Sequence, residues 1–172
     1  MSKKEGNCMK IIRKSMPADL PVILQLRDEA RQTMRANGNS SQWPDGIPVR
    51  SKFEQDIEQG YSYMVEDDGL PVATFALIAG PDPTYARIYG GAWLDDSQPY
   101  FVIHRIAAGQ GSHGIFSCVI DYCSRQTRNL RVDTHRDNTI MQHLLLKHGF
   151  SYCGIIHLLN GEERLAYQRL TE

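Results

Sequence analysis

"RIAAGQGSHGIF" occupies residues 105–116. Gly109, Gly111 and Gly114 fall between the apolar run "YFVIHRIA" (100–107) and "IFSCVIDYC" (115–123). The first run reads as a strand and the second as a helix. Glycine at such a junction lets a backbone turn tightly or come close to a ligand. The unpaired N–H groups and positive dipole end of the helix then form a ready anion site. A bare turn uses the same residues, so the loop alone leaves both readings open. Two nucleotide signatures are excluded. A Walker A loop needs Lys and Ser/Thr after its last glycine, where Ile115 and Phe116 stand. A dinucleotide fingerprint belongs near the start of its domain, and this loop lies past mid-chain.

Outward from the loop, periodicity marks the other elements. "MKIIRKS" (9–15) is a short strand, and Leu20, Ile23, Leu24, Ala30 and Met34 carry a helical period that ends at Gly38. "SKFEQDIEQG" (51–60) predicts a short helix with Ser51 and Glu54 as a capping box. "YSYMVEDDGLPVATFALIAG" (61–80) is a hairpin about Asp68-Gly69. Residues 81–99 are rich in Pro, Gly and Asp, and so long an irregular connection is usually functional. After the loop come a helix, the strand "NLRVDTH" (129–135), a helix headed by Asp137 or Asn138, and a closing hairpin about Asn160-Gly161. The pattern predicts an α/β fold: a mixed central sheet of about seven strands flanked by about four helices.

The 172 residues suit one domain over 9–172, preceded by a polar tail, residues 1–8. The net charge of −1 gives no general grip on nucleic acid or an anionic membrane. No apolar run is long enough to span a bilayer, the start lacks a signal-peptide core, and four cysteines without a CxxC read as reduced thiols. These features imply a cytoplasmic protein. Six scattered histidines without an i, i+4 pair imply no metal site.

"LRVDTHRDNTIMQHLLLKHGF" (130–150) adds a strand, an Asn-headed helix and Gly-Phe downstream of the loop. Together with the loop and the element order, this run resembles the GNAT superfamily of N-acetyltransferases, in particular a bacterial branch. The family's loop, Gln/Arg-x-x-Gly-x-Gly/Ala, maps onto residues 111–116, its later Asn onto Asn138, and its helix end onto Gly149-Phe150. Four positions depart from the pattern. Gly111 replaces Gln or Arg, Phe116 replaces Gly or Ala, Met141 replaces Ala, and Leu145 replaces a Tyr that often serves as general acid.

The resemblance implies the acyl-CoA N-acyltransferase (GNAT) fold, with acetyl-coenzyme A as cosubstrate. Its pantetheine arm would lie along the strand edge at Ile106, Ala107 and Ala108. Its pyrophosphate would sit on the loop at Gly111, Ser112, His113, Gly114 and Phe116, with Asn138 nearby. The acceptor would be an amine of a small molecule or peptide, attacked directly in a ternary complex. Period-2 spacing puts His104 on the face of Ile106 as a candidate base, and Asp133 and His135 on one face of the next strand as its partners. Trp43, Tyr85 and Trp93 lie in loops that could border the acceptor. A catalytically silent acyl-CoA-binding or regulatory module would carry the same loop without needing His104. A homodimer is compatible with either reading.

Overall fold

Alternating apolar side chains build seven strands: β1 (Lys10–Lys14), β2 (Ser62–Asp67), β3 (Leu70–Ala79), β4 (Phe101–Ala108), β5 (Asn129–Thr134), β6 (Ser151–His157) and β7 (Glu163–Leu170). Helical periods build α1 (Leu20–Ala36), α2 (Arg50–Glu58), α3 (Ile115–Gln126) and α4 (Thr139–Lys147). The computed structural model describes residues 10–172, and the expected tail, residues 1–8, lies outside them. The strands form one sheet in the order β1-β2-β3-β4-β5-β7-β6, antiparallel throughout except for β4 and β5. The α/β expectation of seven strands and four helices therefore holds.

Each face of the sheet buries its own core. Val65, Phe75, Leu77, Ile103, Leu130 and Val132 pack with α3 and α4 on one face. Met64 and Ala107 pack with α1 and α2 on the other. There the segment 80–100 continues the cover, with Tyr85 and Trp93 lying over Val102, Ile156 and Ala166.

Two features shape the sheet's centre. First, β4 and β5 pair only at Phe101 with Leu130 and Val102 with Arg131, so the strands part beyond Val102. Second, β4 bulges. Ala76 lies opposite His104 and Thr74 opposite Ala107, which sets three residue steps on β4 against two on β3. Arg105 absorbs the extra residue at φ +52°, a conformation that non-glycine residues rarely adopt. Its guanidinium grips Asp56 of α2 with two hydrogen bonds, at 2.7 and 2.8 Å. The bulge corrects the period-2 expectation. Ile103, Ile106 and Ala108 face the α3/α4 core, whereas His104 follows Val102 to the opposite face.

The segment 80–100 contains only one short 3-10 turn, Pro83–Tyr85, yet it is firmly seated. Arg131 of β5 is fully buried, with its guanidinium between the rings of Trp93 (4.0 Å) and Tyr100 (3.9 Å). It also donates to the Asp95 carbonyl at 3.1 Å and to Asp96 Oδ1 at 2.9 Å. The buried Gln168 of β7 accepts from the Leu94 N–H at 2.7 Å and donates to the Asp95 carbonyl at 2.9 Å. Tyr89 bridges to Ile155 at the edge of β6.

The expected capping box at Ser51 and Glu54 is absent. Helix α2 starts at Arg50, Val49 takes the cap position, and the Glu54 carboxylate accepts from Arg50 Nε at 2.7 Å instead. Asn138 does cap α4, accepting the Met141 N–H at 3.0 Å. No helix among the described residues is long and apolar enough to cross a membrane.

Gly91 marks where the segment presses on the sheet, since a Cβ there would collide with the carbonyl oxygen of Cys153. Gly91→Ala is expected to destabilise the protein by about 2 kcal/mol and lower its melting temperature by roughly 4–8 °C in a thermal scan.

Candidate functional site

Beyond Val102 the gap between β4 and β5 opens into two cavities that meet at the bulge. The first, about 350 Å³, is walled by Ile103 to Ile106, by Val132, Asp133 and Thr134 of β5, and by the loop before α2. The second, about 570 Å³, runs from Ile106 and Ala108 past Ser112, Gly114 and Phe116 to α4. Met34, Ile106, Asn138 and Met141 line both.

The second cavity ends at the N-terminus of α3. Gly114 takes the cap position at φ +68°, and no side chain caps the helix. Its first N–H groups are thus left to whatever enters the cavity. A Cβ on Gly114 would be strained by that φ. Phe116, the bulky departure from the family loop, is buried beneath the helix with its ring edge-on to His148 at 5.0 Å. Gly111 and His113 line a third cavity, of about 500 Å³, on the other side of the loop with Lys10 and Glu29. Ala107 is fully buried against α1 and lines neither cavity, whereas Ile106 and Ala108 on either side of it line the second.

Polar groups concentrate in the first cavity. His104 lines it, and its Nε2 lies 3.1 Å from Asp82 Oδ2, with both side chains about one-fifth exposed. Asp133 lines it too, and its Oδ2 accepts the Tyr85 hydroxyl at 2.7 Å. Burial, and next the charge of Asp133, push the Tyr85 hydroxyl well above its ordinary pKa, so it stays a donor. Gln42 closes one end, its Oε1 accepting from Asn138 Nδ2 at 2.9 Å. The loop carrying Gln42 and Trp43 is tied to α1, where Arg31 donates to the Ile47 carbonyl at 2.9 Å.

The predicted site residues thus separate. His104 and Asp133 come together in the first cavity with Ile106, Asn138 and Trp43. Tyr85 sits behind Asp133 and supports it. Trp93 lies on Arg131 and lines neither cavity. His135 falls just past the end of β5, so it does not share a strand face with Asp133. It lines a separate surface pocket with Arg136 and Glu163, and its Nδ1 accepts the Asp137 N–H at 3.0 Å. Burial, then the positive charge of Arg164, lowers its pKa. Leu145 is wholly buried and Cys153 nearly so, and neither lines either cavity.

Sequence reading misses Asp82 and Gln42. Asp82 is signalled only by its place before the 3-10 turn, where its Oδ1 accepts from the Thr84 N–H at 2.9 Å. Burial raises the Asp82 carboxyl, but hydrogen bonds from His104 and Thr84 outweigh it and hold the pKa at about 2. Among the described residues, no group of three or more His, Cys, Asp or Glu could hold a metal ion.

The chain is similar to the solved structure of a GNAT-family acetyltransferase from Streptococcus agalactiae, with 34% identity over 95% of this chain and 96% of that one and a TM-score of 0.86. An acetyltransferase of the same family from Listeria monocytogenes has 20% identity over 94% and 95% of the two chains, with a TM-score of 0.69. The ribosomal-protein-alanine N-acetyltransferase of Brucella melitensis shares the fold at 16% identity over 94% and 99%, with a TM-score of 0.54. No protein-family model matches the sequence, and no curated protein does.

The depressed carboxyl of Asp82 sets an acid dependence. Its folded-state pKa lies below the ordinary carboxylate value, so its stabilisation is fully present above about pH 4 and is lost as the pH falls toward 2. Urea unfolding across that window is expected to show an acid loss about 2 kcal/mol smaller in Asp82→Asn than in the wild type, the other lowered carboxyls, such as Asp19, contributing equally to both.

Proposed function

Because the chain belongs to the GNAT family and is an acetyltransferase by that membership, we propose that it moves an acetyl group from acetyl-coenzyme A to an amine of a small molecule or peptide. In this reading residues 9–172 form one N-acetyltransferase domain, and transfer is direct, within a ternary complex. One observation carries the reading: two cavities meet at the β4 bulge, one ending on an uncapped helix N-terminus and the other holding His104 and Asp133.

The residues fit the cosubstrate. The edge of β4 from Ile106 through Ala108 is left unpaired by β5, and Ile106 and Ala108, which line the second cavity, would offer main-chain groups to an extended arm. The N–H groups of Gly114 and Phe116 would hold the pyrophosphate, with Ser112, whose N–H donates to the Gly109 carbonyl at 3.2 Å, beside them, Gly111 and His113 backing the loop and Asn138 at the cavity junction. Phe116 does not oppose this, because its ring is directed into the core. Bound there, acetyl-coenzyme A supplies an acetyl group activated as a thioester.

The chain's own groups do the rest. Asp133 has one carboxyl oxygen engaged by Tyr85, and the other is available to hold the ammonium of an acceptor. His104 takes the proton from that ammonium, freeing the lone pair for attack. A backbone N–H at the bulge near Ile106 faces developing negative charge, a contribution typically worth about 3 kcal/mol. Trp43 forms the apolar side of the acceptor cavity. With Leu145 in the core, α4 supplies no acid there. A thiol of ordinary pKa, near 8.5, leaves adequately as thiolate. Direct transfer is favoured over an acyl-enzyme because Cys153, raised in pKa by burial, lines neither cavity.

His104→Ala is expected to lower kcat about 100-fold, the usual scale of a general base, while calorimetry shows unchanged affinity for acetyl-coenzyme A. Undiminished turnover would remove His104 from the mechanism. Gly114→Val, forced into a left-handed backbone at the anion site, is expected to weaken acetyl-coenzyme A binding at least about tenfold. Normal affinity would refute the loop assignment.

A further inference from the structure

We propose that Asp82 is a positioning residue that holds His104 in its Nε2–H tautomer, so that Nδ1 is the atom that accepts the proton from the amine. The proposal rests on the reading of His104 as the base.

The geometry around Asp82 leaves its two oxygens little choice. Oδ1 accepts both the N–H and the hydroxyl of Thr84, at 2.9 and 2.7 Å. Oδ2 remains for His104 Nε2 at 3.1 Å. An ionised carboxylate only accepts, so the hydrogen in that contact belongs to the imidazole. The carboxylate is also anchored through its backbone. The Asp82 N–H donates to the Tyr100 hydroxyl at 2.7 Å, and Tyr100 lies on the buried Arg131. The histidine therefore meets a fixed acceptor rather than a mobile surface acid.

The opposite nitrogen is placed for chemistry. Nδ1 has no hydrogen-bond partner among the described residues, and His104 lines the acceptor cavity while Asp82 does not. The other groups around the ring do not compete for it. Tyr85 lies 6.3 Å away, centroid to centroid, and spends its hydroxyl on Asp133. Arg105, next along β4, is committed to Asp56. Arg164 donates to Glu162 at 3.1 Å, and Lys52 lies on the α2 wall.

The proton balance is simple. The acceptor ammonium gives its proton to Nδ1, and the ring becomes an imidazolium protonated on both nitrogens. Asp82 stays ionised beside it and stabilises that charge. The proton then passes to solvent. This role explains why an irregular segment is so firmly seated beneath β4 and β5: it delivers a carboxylate to the back of the base.

The test is a two-bond 15N–1H correlation spectrum of the ligand-free protein, under conditions where the ring is neutral. The wild type is expected to show His104 as the Nε2–H tautomer. Asp82→Asn keeps an oxygen for Thr84 but turns an amide N–H₂ toward the ring, so the ring is expected to switch to Nδ1–H. Its kcat, measured as thiol release with the most active amine of a panel of amino acids and polyamines, is expected to fall about 100-fold, with KM for the amine nearly unchanged. Gly91→Ala, which disturbs the same segment but leaves the carboxylate, is expected to retain the wild-type tautomer. An Nδ1–H wild type, an Asn variant with unaltered tautomer, or a tautomer switch in Gly91→Ala would each overturn the proposal. Full turnover in His104→Ala would instead defeat the base assignment and leave the tautomer result standing.

Discussion

The ion pair between Arg105 and Asp56 is the point on which the rest of the structure turns. A residue at φ +52° in mid-strand is unfavourable by itself, on the order of 1–3 kcal/mol. The two hydrogen bonds to a carboxylate whose side chain is only 4% exposed fix the backbone in that state. From that bulge follows the change of face between His104 and Ile106, on the stretch of β4 that β5 has already left at Val102. The cleft is thus built into the sheet by a contact between β4 and a helix 49 residues earlier in the chain.

This distance also explains what the sequence could and could not show. The seven strands and four helices are legible because each rests on local signals: period, Gly stops, and the turns at Asp68-Gly69 and Asn160-Gly161. The glycine loop is legible because Gly111 and Gly114 require left-handed backbone, which few other residues supply. The bulge leaves no such mark, since Arg105 is a poor candidate for positive φ and is held there by a tertiary partner. Strict alternation along β4 therefore put His104 on the wrong face. His135 was misplaced for a related reason: β5 ends at Thr134, one residue before the pattern suggested. Asp82 was invisible because the pairing of residues 82 and 104 depends on how an irregular segment packs, and no periodicity describes that.

Two of the four departures from the family pattern have a common physical reading. Phe116 and Leu145 both send their side chains into the core shared by α3 and α4. Phe116 meets His148 there, and Leu145 is entirely enclosed. A bulkier group at 116 and a purely apolar one at 145 fill the contact between the two helices, while the start of α3 is left without a side-chain cap. Anion binding through main-chain atoms tolerates this kind of change, because the binding groups are common to every residue.

The seating of residues 80–100 has a consequence for how such an enzyme diversifies. Its anchors, Arg131 and Gln168, project from the face of the sheet opposite α3 and α4, whereas the glycine loop belongs to the start of α3. The two ends of the cleft therefore rest on separate supports. Residues between Pro81 and Pro99 stand behind the first cavity and line none of it, so changes among them reach the cleft through the side chains they hold, His104 and Asp133, and leave the loop before α3 undisturbed. One sheet can in this way keep its loop at α3 constant while the orientation of polar groups in the first cavity is set from the other face.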